Sequence, residues 1–247
     1  MSVYYRTQGF VLKKIDLREA DQVFVIYAED FGKIEVLGRG IRKIKSKIKP
    51  GIDLFYLSEI DFVQGKKQKT LIGATAIEKF KNIRNSPEKL AIVYKIVNVA
   101  DDLINGQEQD GGIWNLLREV FDKLNNSDFN VQSSMFKVIH YYFFWNLLSI
   151  LGYKSDLYHC VFCGKKLMPQ KNYFIPRSGI FCARCAGERK SSGLTNVGLS
   201  QDAIKILRIL ENKSWGTLIK LKMEKIHLKE LEKIFQMVYS NQRLVLV

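Results

Sequence analysis

Two Cys-X-X-Cys pairs, 18 residues apart, are the feature that most constrains this chain. They read Cys160-Val161-Phe162-Cys163-Gly164 and Cys182-Ala183-Arg184-Cys185-Ala186-Gly187. Two such pairs at this separation are typical of a zinc site with four cysteine ligands. Four thiolates fill a tetrahedral shell and leave no open position for water. The spacing therefore predicts one structural Zn²⁺ that braces a small ribbon, with Cys160, Cys163, Cys182 and Cys185 as its ligands.

Other uses of these cysteines fit the pattern less well. A redox dithiol needs one Cys-X-X-Cys beside a βαβ unit, and that unit is missing from the pattern. An iron–sulfur cluster also binds cysteines, but paired knuckles in a ribbon are typical of zinc. Four unrelated buried thiols are the remaining alternative. His159 adjoins the first pair, and because four sulfurs already complete a shell we interpret it as a neighbour.

The first 80 residues or so predict a small β-barrel. Runs rich in β-forming residues alternate with the turn segments Glu29–Gly32 and Gln64–Lys67. The predicted strands are Thr7–Ile15, Gln22–Ala28, Lys33–Leu37, Ile52–Val63 and Lys69–Ile77. Five strands in about 75 residues suit an OB-fold, the commonest five-stranded barrel that binds nucleic acid. An SH3-like barrel would give nearly the same pattern.

After Ser86-Pro87 the apolar period becomes helical. We predict helices beginning at Pro87 and over Ile113–Leu124, Val131–Leu151, Ser200–Asn212 and Leu228–Tyr239. Val131–Leu151 is apolar nearly all round and is expected to be the central helix of a bundle. The predicted fold class is α+β multidomain: an OB-fold nucleic-acid-binding domain (1–80), a helical domain in two parts (81–154 and 193–247), and an inserted four-cysteine zinc ribbon (155–192).

The charge of the chain favours a polyanionic partner. Lys and Arg number 39 against 25 Asp and Glu, a formal net charge of +14. One segment without an anion follows the third predicted strand and carries Arg39, Arg42, Lys43, Lys45, Lys47 and Lys49. A second cluster lies at the last hairpin, with Lys66, Lys67 and Lys69. We predict that these nine residues contact phosphates, the alternative being loops that charge merely keeps soluble.

The isoleucines of the basic segment and the aromatic residues of the predicted strands give two further predictions. Ile41, Ile44 and Ile48 are expected to pin the segment to the barrel surface. Aromatic residues of the strands could stack on bases, although strand aromatics more often belong to the core; they are Phe10, Phe24, Phe55, Tyr56 and Phe62. Because no base-reading constellation is present, we expect binding that is indifferent to sequence.

Several function classes find no support in the sequence. The most apolar stretch, Tyr141–Leu151, is about half the length needed to cross a bilayer, and no secretory signal is recognisable at the start. We therefore predict a cytoplasmic protein, in which structural disulfides are not expected. No GxxxxGK phosphate loop occurs. Asp16, Glu19 and Asp21 could serve a metal-dependent nuclease, but an ion pair with Arg18 or another basic neighbour is the better interpretation, and no catalytic residue is predicted.

Taken together, several short strings resemble a known family. They are Gly9-Phe10-Val11-Leu12-Lys13, Leu17-Arg18-Glu19-Ala20-Asp21, Phe31-Gly32-Lys33, Gly38-Arg39-Gly40-Ile41-Arg42-Lys43 and Ser46-Lys47. With the helical middle, the two cysteine pairs and the helical tail, this order is similar to that of the bacterial recombination mediator RecO family. By position, Arg39, Arg42, Lys43 and Lys47 match the basic loop of that family, and the four cysteines match its zinc ligands.

The resemblance implies a fold and a role. The fold is an N-terminal OB-fold, a C-terminal helical domain and an inserted zinc ribbon. The role is to bind single- and double-stranded DNA, anneal complementary strands and help load recombinase onto strands coated by single-strand-binding protein. The implied partners are a RecR-type mediator and the C-terminal tail of single-strand-binding protein, in the cytoplasm and at the nucleoid. Two alternatives stay open: an RNA-binding OB-fold and zinc-ribbon protein, and a protein-only adaptor.

Overall fold

The chain forms two compact units, residues 1–129 and 130–247. The structure, a computed structural model, describes residues 3–126, 134–168, 172–175, 179–188, 197–212, 215–218, 220 and 223–246. Within these ranges no helix combines the length and the apolar character that a membrane span requires.

The first unit is built on a closed five-stranded barrel. Its strands are β1 (Val3–Leu17), β2 (Asp21–Ala28), β3 (Gly32–Gly38), β4 (Leu57–Gln64) and β5 (Lys69–Glu78). The order around the barrel is β1-β2-β3-β5-β4, and all pairs are antiparallel except β3 with β5. This is the arrangement of the OB-fold. The predicted barrel is confirmed.

Strand β1 closes the barrel because it pairs on both sides. Its first half, from Val3 to Phe10, pairs with β4, and its second half, from Gly9 to Leu17, pairs with β2. A register shift between Val11 and Lys13 marks the bend between the two halves. The barrel is filled by alternate apolar side chains of the strands, among them Val11, Phe24, Ile26, Ile34, Val36, Ile60 and Phe62.

The predicted start of the fourth strand at Ile52 is wrong. The strand begins at Leu57, after a 3₁₀ turn over Lys49–Gly51. Between them Phe55 adopts a left-handed backbone with φ of 67° and packs its buried ring edge-on against Tyr94, 4.7 Å away. Ile52 and Phe55 are buried apolar residues, so this segment resembles the start of a strand in the sequence pattern.

Three helices complete the first unit: α1 (Lys81–Arg84), α2 (Pro87–Leu103) and α3 (Gly111–Asn126). Ser86 caps α2, since its side chain accepts a hydrogen bond from the backbone N–H of Lys89 at 3.3 Å. Phe10 of β1 packs against Phe121 of α3 with ring centroids 5.1 Å apart, and Phe80 lies 5.1 Å from the same ring. Packing thus groups α1–α3 with the barrel, whereas the sequence pattern placed residues 81–154 in one helical part.

The second unit combines helices with a small sheet. Its helices are α4 (Ser134–Ile150), α5 (Ala183–Glu188), α6 (Gln201–Glu211), α7 (Trp215–Leu218) and α8 (Lys225–Leu246). Its strands are β6 (Asn172–Ile175), β7 (Gly179–Cys182) and β8 (Val197–Leu199), in the order β7-β6-β8. Strand β8 lies beyond residue 192, the predicted end of the ribbon. Residues 131–133, at the start of the predicted central helix, lie outside the described residues.

Helix α4 is buried on nearly all sides between residues 138 and 148, which agrees with its predicted central position. Asn146 is fully buried, and its Nδ2 donates to the carbonyls of Tyr142 at 2.8 Å and Leu210 at 2.9 Å. Tyr141 donates to Glu232 Oε2 at 2.6 Å. These bonds join α4 to α6 and α8, so the polar groups inside the bundle also fix its packing.

Gly51 provides a test of the barrel closure. A Cβ atom at this buried position would lie 1.9 Å from the carbonyl oxygen of Ala74, so β5 and the 3₁₀ turn would have to separate. We expect Gly51→Ala to lower the free energy of unfolding by about 2–3 kcal/mol in urea denaturation followed by circular dichroism. Gly111→Ala is the matched control, because nothing lies within 4 Å of its added methyl group. Equal stability of the two variants would contradict this account of the closure.

Candidate functional site

The four cysteines predicted as metal ligands come together in the second unit. Cys160 and Cys163 lie in a turn before the small sheet, Cys182 ends β7 and Cys185 lies in α5. Their Sγ atoms all lie within 4.8 Å of one another. A tetrahedral shell with metal–sulfur bonds of about 2.3 Å separates its sulfurs by about 3.8 Å. The cluster could therefore hold a metal ion with small adjustments of the side chains.

Backbone N–H groups around Cys160 favour the thiolate form of its sulfur, which is the form that binds a metal cation. Gly164, with a left-handed φ of 67°, closes the first knuckle by donating its N–H to the Cys160 carbonyl at 2.9 Å. The N–H of Cys182 points at the Cys160 sulfur from 3.4 Å. Burial alone would raise the pKa of the Cys160 thiol, but the N–H groups of Cys163, Cys182 and Phe162 lower it to about 6. The backbone of the second knuckle, Cys182–Cys185, has a different conformation, because it continues directly into α5.

His159 has a partner outside the cluster. Its Nδ1 lies 3.0 Å from Asp156 Oδ2, and the ring is exposed. The same carboxylate accepts the backbone N–H groups of Tyr158 at 2.7 Å and His159 at 3.0 Å. The interpretation of His159 as a neighbour of the ligands agrees with this arrangement.

Arg208 of α6 connects the helices to the cysteine knuckle, a role that sequence reasoning missed. Its Nε and Nη2 donate to the Leu157 carbonyl at 3.0 and 2.6 Å. Its guanidinium lies 4.3 Å from the centre of the Tyr158 ring. Leu157 and Tyr158, shortly before Cys160, are thus held by a helix far along the chain.

The basic segment forms an ordered series of turns, residues 39–49, which we call the basic loop. The N–H of Lys43 donates to the Gly40 carbonyl at 3.1 Å, and that of Ser46 donates to the Lys43 carbonyl at 3.0 Å. All six cations are exposed: Arg39, Arg42, Lys43, Lys45, Lys47 and Lys49. The loop therefore offers its charges to solvent from a hydrogen-bonded backbone.

The basic loop is anchored to the hairpin between β1 and β2. Gly40 donates its N–H to Asp21 Oδ1 at 2.7 Å, and Arg42 donates its N–H to the Ala20 carbonyl at 3.0 Å. Ile41 is buried and Ile48 packs against the barrel core, as predicted. The prediction is wrong for Ile44, which is completely exposed, because it lies inside the turn that the Ser46 N–H closes on the Lys43 carbonyl.

Two of the three hairpin carboxylates support the loop. Asp16 lies 3.4 Å from Arg42 Nη1 and accepts a hydrogen bond from Gln22 at 2.6 Å. Asp21 holds the Gly40 amide. The interpretation of these acidic residues as partners of basic ones is thus supported for Asp16, with Arg42 in place of Arg18.

A groove of about 610 Å³ lies beside the basic loop. Its lining residues are Lys14, Gln22, Ile41, Arg42, Lys49, Pro50, Ile52, Asp53, Tyr56 and Lys79. Four of them are cations and one is an anion. Sequence reasoning missed Lys14 and Lys79, because they lie on β1 and just after β5, far in sequence from the basic loop. Of the five aromatics considered, Tyr56 is half-exposed here, whereas the other four are buried in the protein.

Asp53 organises the cations at this groove. Its Oδ1 lies 2.6 Å from Lys14 Nζ and its Oδ2 lies 3.5 Å from Arg84 Nη2. The Arg84 guanidinium lies 4.6 Å from the centre of the Tyr56 ring. Partial burial alone would raise the pKa of Asp53, but the Lys14 hydrogen bond, the Leu54 N–H and the charges of Lys14 and Arg84 lower it. The carboxylate therefore stays ionised at neutral pH and holds the two side chains.

The second basic cluster lines a different groove, of about 600 Å³. Lys66 and Lys67 are exposed, while Lys69 is half-buried and donates to Gln107 Oε1 at 3.0 Å. Lys67 and Lys69 line this groove together with Lys33 and Asp101. No lining residue is shared with the groove beside the basic loop. The structure thus places Arg42 and Lys49 of the basic loop in one groove of this unit, and Lys67 and Lys69 of the second cluster in another.

Comparison with known proteins agrees with this architecture over nearly the whole chain. The family model described as "Recombination protein O N terminal" matches residues 1–80, and "Recombination protein O C terminal" matches residues 84–243. The DNA repair protein RecO of Dehalococcoides mccartyi (strain 195) is 29% identical over 229 residues, 92% of this chain and 86% of that protein. The DNA repair protein RecO of Acetivibrio thermocellus is 27% identical over 241 residues, 98% and 92% respectively.

Asp21 gives a test of how the basic loop is anchored. Because its carboxylate accepts the Gly40 amide, we expect Asp21→Ala to speed hydrogen exchange of that amide by about tenfold, the effect of losing one charge-assisted hydrogen bond. Glu19→Ala is the control, since it removes the same charge from an exposed position on the same hairpin. Exchange that rises equally in both variants would show that charge, and not the bond, governs the loop.

Proposed function

The chain belongs to the recombination protein O family, and from this we propose that it is a recombination mediator of DNA repair. In this proposal it binds single- and double-stranded DNA, anneals complementary strands and helps load recombinase onto strands coated by single-strand-binding protein. It acts by binding, with no catalytic residue of its own. The observation that carries the proposal is the anchored basic loop, whose six cations are all exposed, beside a cationic groove on an OB-fold barrel.

Charge is the main source of affinity in this proposal. Each phosphate neutralised by an exposed Lys or Arg releases condensed counterions, so binding depends on salt and is indifferent to sequence. Annealing needs no ATP, because a cationic surface reduces the repulsion between two strands and base pairing supplies the free energy. Lys67 and Lys69, which line the separate groove, form a second contact together with the neighbouring Lys66.

The cysteine cluster is proposed to hold one zinc ion. Four sulfur donors within 4.8 Å of one another match the closed shell of structural zinc, and the ion would cross-link the knuckle, β7 and α5. Its part in the function is to brace the second unit. Arg208 and the Phe162–Phe181 contact, with ring centroids 5.5 Å apart, support the same segment.

Two protein partners follow from the family and are proposed with it. They are a RecR-type mediator and the C-terminal tail of single-strand-binding protein. The chain is proposed to bind them in the cytoplasm, at the nucleoid.

The basic loop provides the central test of function. We expect replacement of Arg39, Arg42, Lys43, Lys45 and Lys47 by Ala to weaken binding of a labelled single strand and to reduce its salt dependence. If three to six phosphates are engaged, wild-type affinity falls by about 10- to 1,000-fold over a fourfold rise in salt. Fluorescence anisotropy measures both quantities. A variant with the same loss of charge at the exposed Lys81, Lys95, Lys205, Lys225 and Lys229 is the control.

The same pair of variants separates the alternative functions. Unchanged DNA binding by the loop variant would favour a protein-only adaptor, and clear preference for RNA of the same sequence would favour an RNA-binding protein. We expect the wild type and the control variant to anneal strands coated by single-strand-binding protein. The loop variant is expected to lose this activity.

Zinc content tests the metal centre. We expect about one zinc per chain by elemental analysis. Cys182→Ser is expected to lose the metal and to lower the melting temperature more than it weakens DNA binding, because the ion braces the fold. His159→Ala is the control and is expected to keep the zinc, since Asp156 holds its ring. A metal-free protein as stable as the purified one would remove the bracing role.

A further inference from the structure

Ile44 is the most exposed large apolar side chain of the described residues. Its relative exposure is 101%, and the next highest is 62%. The other two isoleucines near it in the chain behave differently, since Ile41 is buried and Ile48 packs against the barrel core. The basic loop therefore buries Ile41, packs the partly buried Ile48 against the core, and presents Ile44 to solvent between Lys43 and Lys45.

Backbone hydrogen bonds hold Ile44 in this exposed position. The hydrogen bond from the Ser46 N–H to the Lys43 carbonyl, at 3.0 Å, closes a four-residue turn with Ile44 and Lys45 at its centre. The preceding turn is anchored through Gly40 and Arg42 to the β1–β2 hairpin. Ile44 thus stands at the tip of an anchored turn that carries exposed cations on both sides.

The chemistry of the turn suits a strand with unpaired bases. Lys43 and Lys45 can each meet a phosphate, whereas an aliphatic side chain gains only by covering apolar surface. In a nucleic acid that surface is the face of a base. Stacking covers these faces in a duplex, and separating a base step costs a few kcal/mol. In a single strand the faces are accessible, so the same contact forms at lower cost.

We infer that Ile44 is an apolar wedge that packs on the faces of unpaired bases while Lys43 and Lys45 hold the adjacent phosphates. This inference rests on the proposed function, because it takes DNA as the partner. It adds a specificity-determining residue: Ile44 favours single strands over duplex through a contact that does not depend on salt.

The test compares Ile44→Ser with Ile44→Leu in the full-length protein. We expect Ile44→Ser to bind a single strand about three- to tenfold more weakly, the effect of exposing part of an aliphatic side chain. Its affinity for a duplex of the same sequence is expected to change less than about twofold, since stacking already covers the bases. The salt dependence of single-strand binding is expected to equal that of the wild type, because no charge is lost. Ile44→Leu keeps the apolar contact and is expected to restore binding.

A second readout and a control complete the experiment. A single strand carrying 2-aminopurine, a fluorescent base whose emission reports stacking, is expected to respond to the wild type and to Ile44→Leu but not to Ile44→Ser. Ile72→Ser is the control, because Ile72 is also exposed on the barrel, at 47%, but lies outside the basic loop.

Three results would overturn the inference: unchanged single-strand binding by Ile44→Ser, equal losses with single strand and duplex, or an equal loss in Ile72→Ser. In each case wild-type binding to DNA leaves the proposed function standing. A wild-type protein that binds no oligonucleotide would remove both together.

Discussion

The pairing of β1 with two different strands is the constraint on which the rest of the first unit depends. Because one half of β1 pairs with β4 and the other with β2, the sheet closes and its connections meet at defined ends. Lys14 from β1, the basic loop after β3, Tyr56 before β4 and Lys79 after β5 converge there on one groove. None of these segments would form an interface alone.

The sequence could predict features that are encoded locally. The cysteine spacing is sufficient for the ligand cluster, because a knuckle forms within a few residues. The exposed cations of residues 39–49 could be predicted because an anion-free run cannot be buried. The fourth strand begins at Leu57 and not at Ile52, because Ile52 and Phe55 are buried like strand residues while the left-handed backbone at Phe55 has no signal in the sequence. Lys14 and Lys79 were missed because only barrel closure, a long-range event, brings them beside Arg42.

The electrostatics of the basic loop and its groove depend on more than the number of cations. Asp16, Asp21 and Asp53 lie among the basic residues, and each has a defined partner: a guanidinium, a backbone amide and an ammonium group. The anions reduce the local charge, but they fix where the cations and the loop backbone stand. Ile44 shows the same dependence on tertiary structure, since its residue type matches that of Ile41 and Ile48 and only the path of the loop distinguishes it.

The cysteine cluster has a consequence for the folding of the second unit. A metal ion held by the four sulfurs would join positions 160 and 185, after which the chain continues into β8 and α6. Such a cross-link would shorten the contour length of the unfolded chain between α4 and α6. The entropy lost when those helices meet is correspondingly smaller. The metal-bound ribbon would thus bring distant helices into register, and removal of the ion by a chelator would be felt first in the packing of α4 and α6.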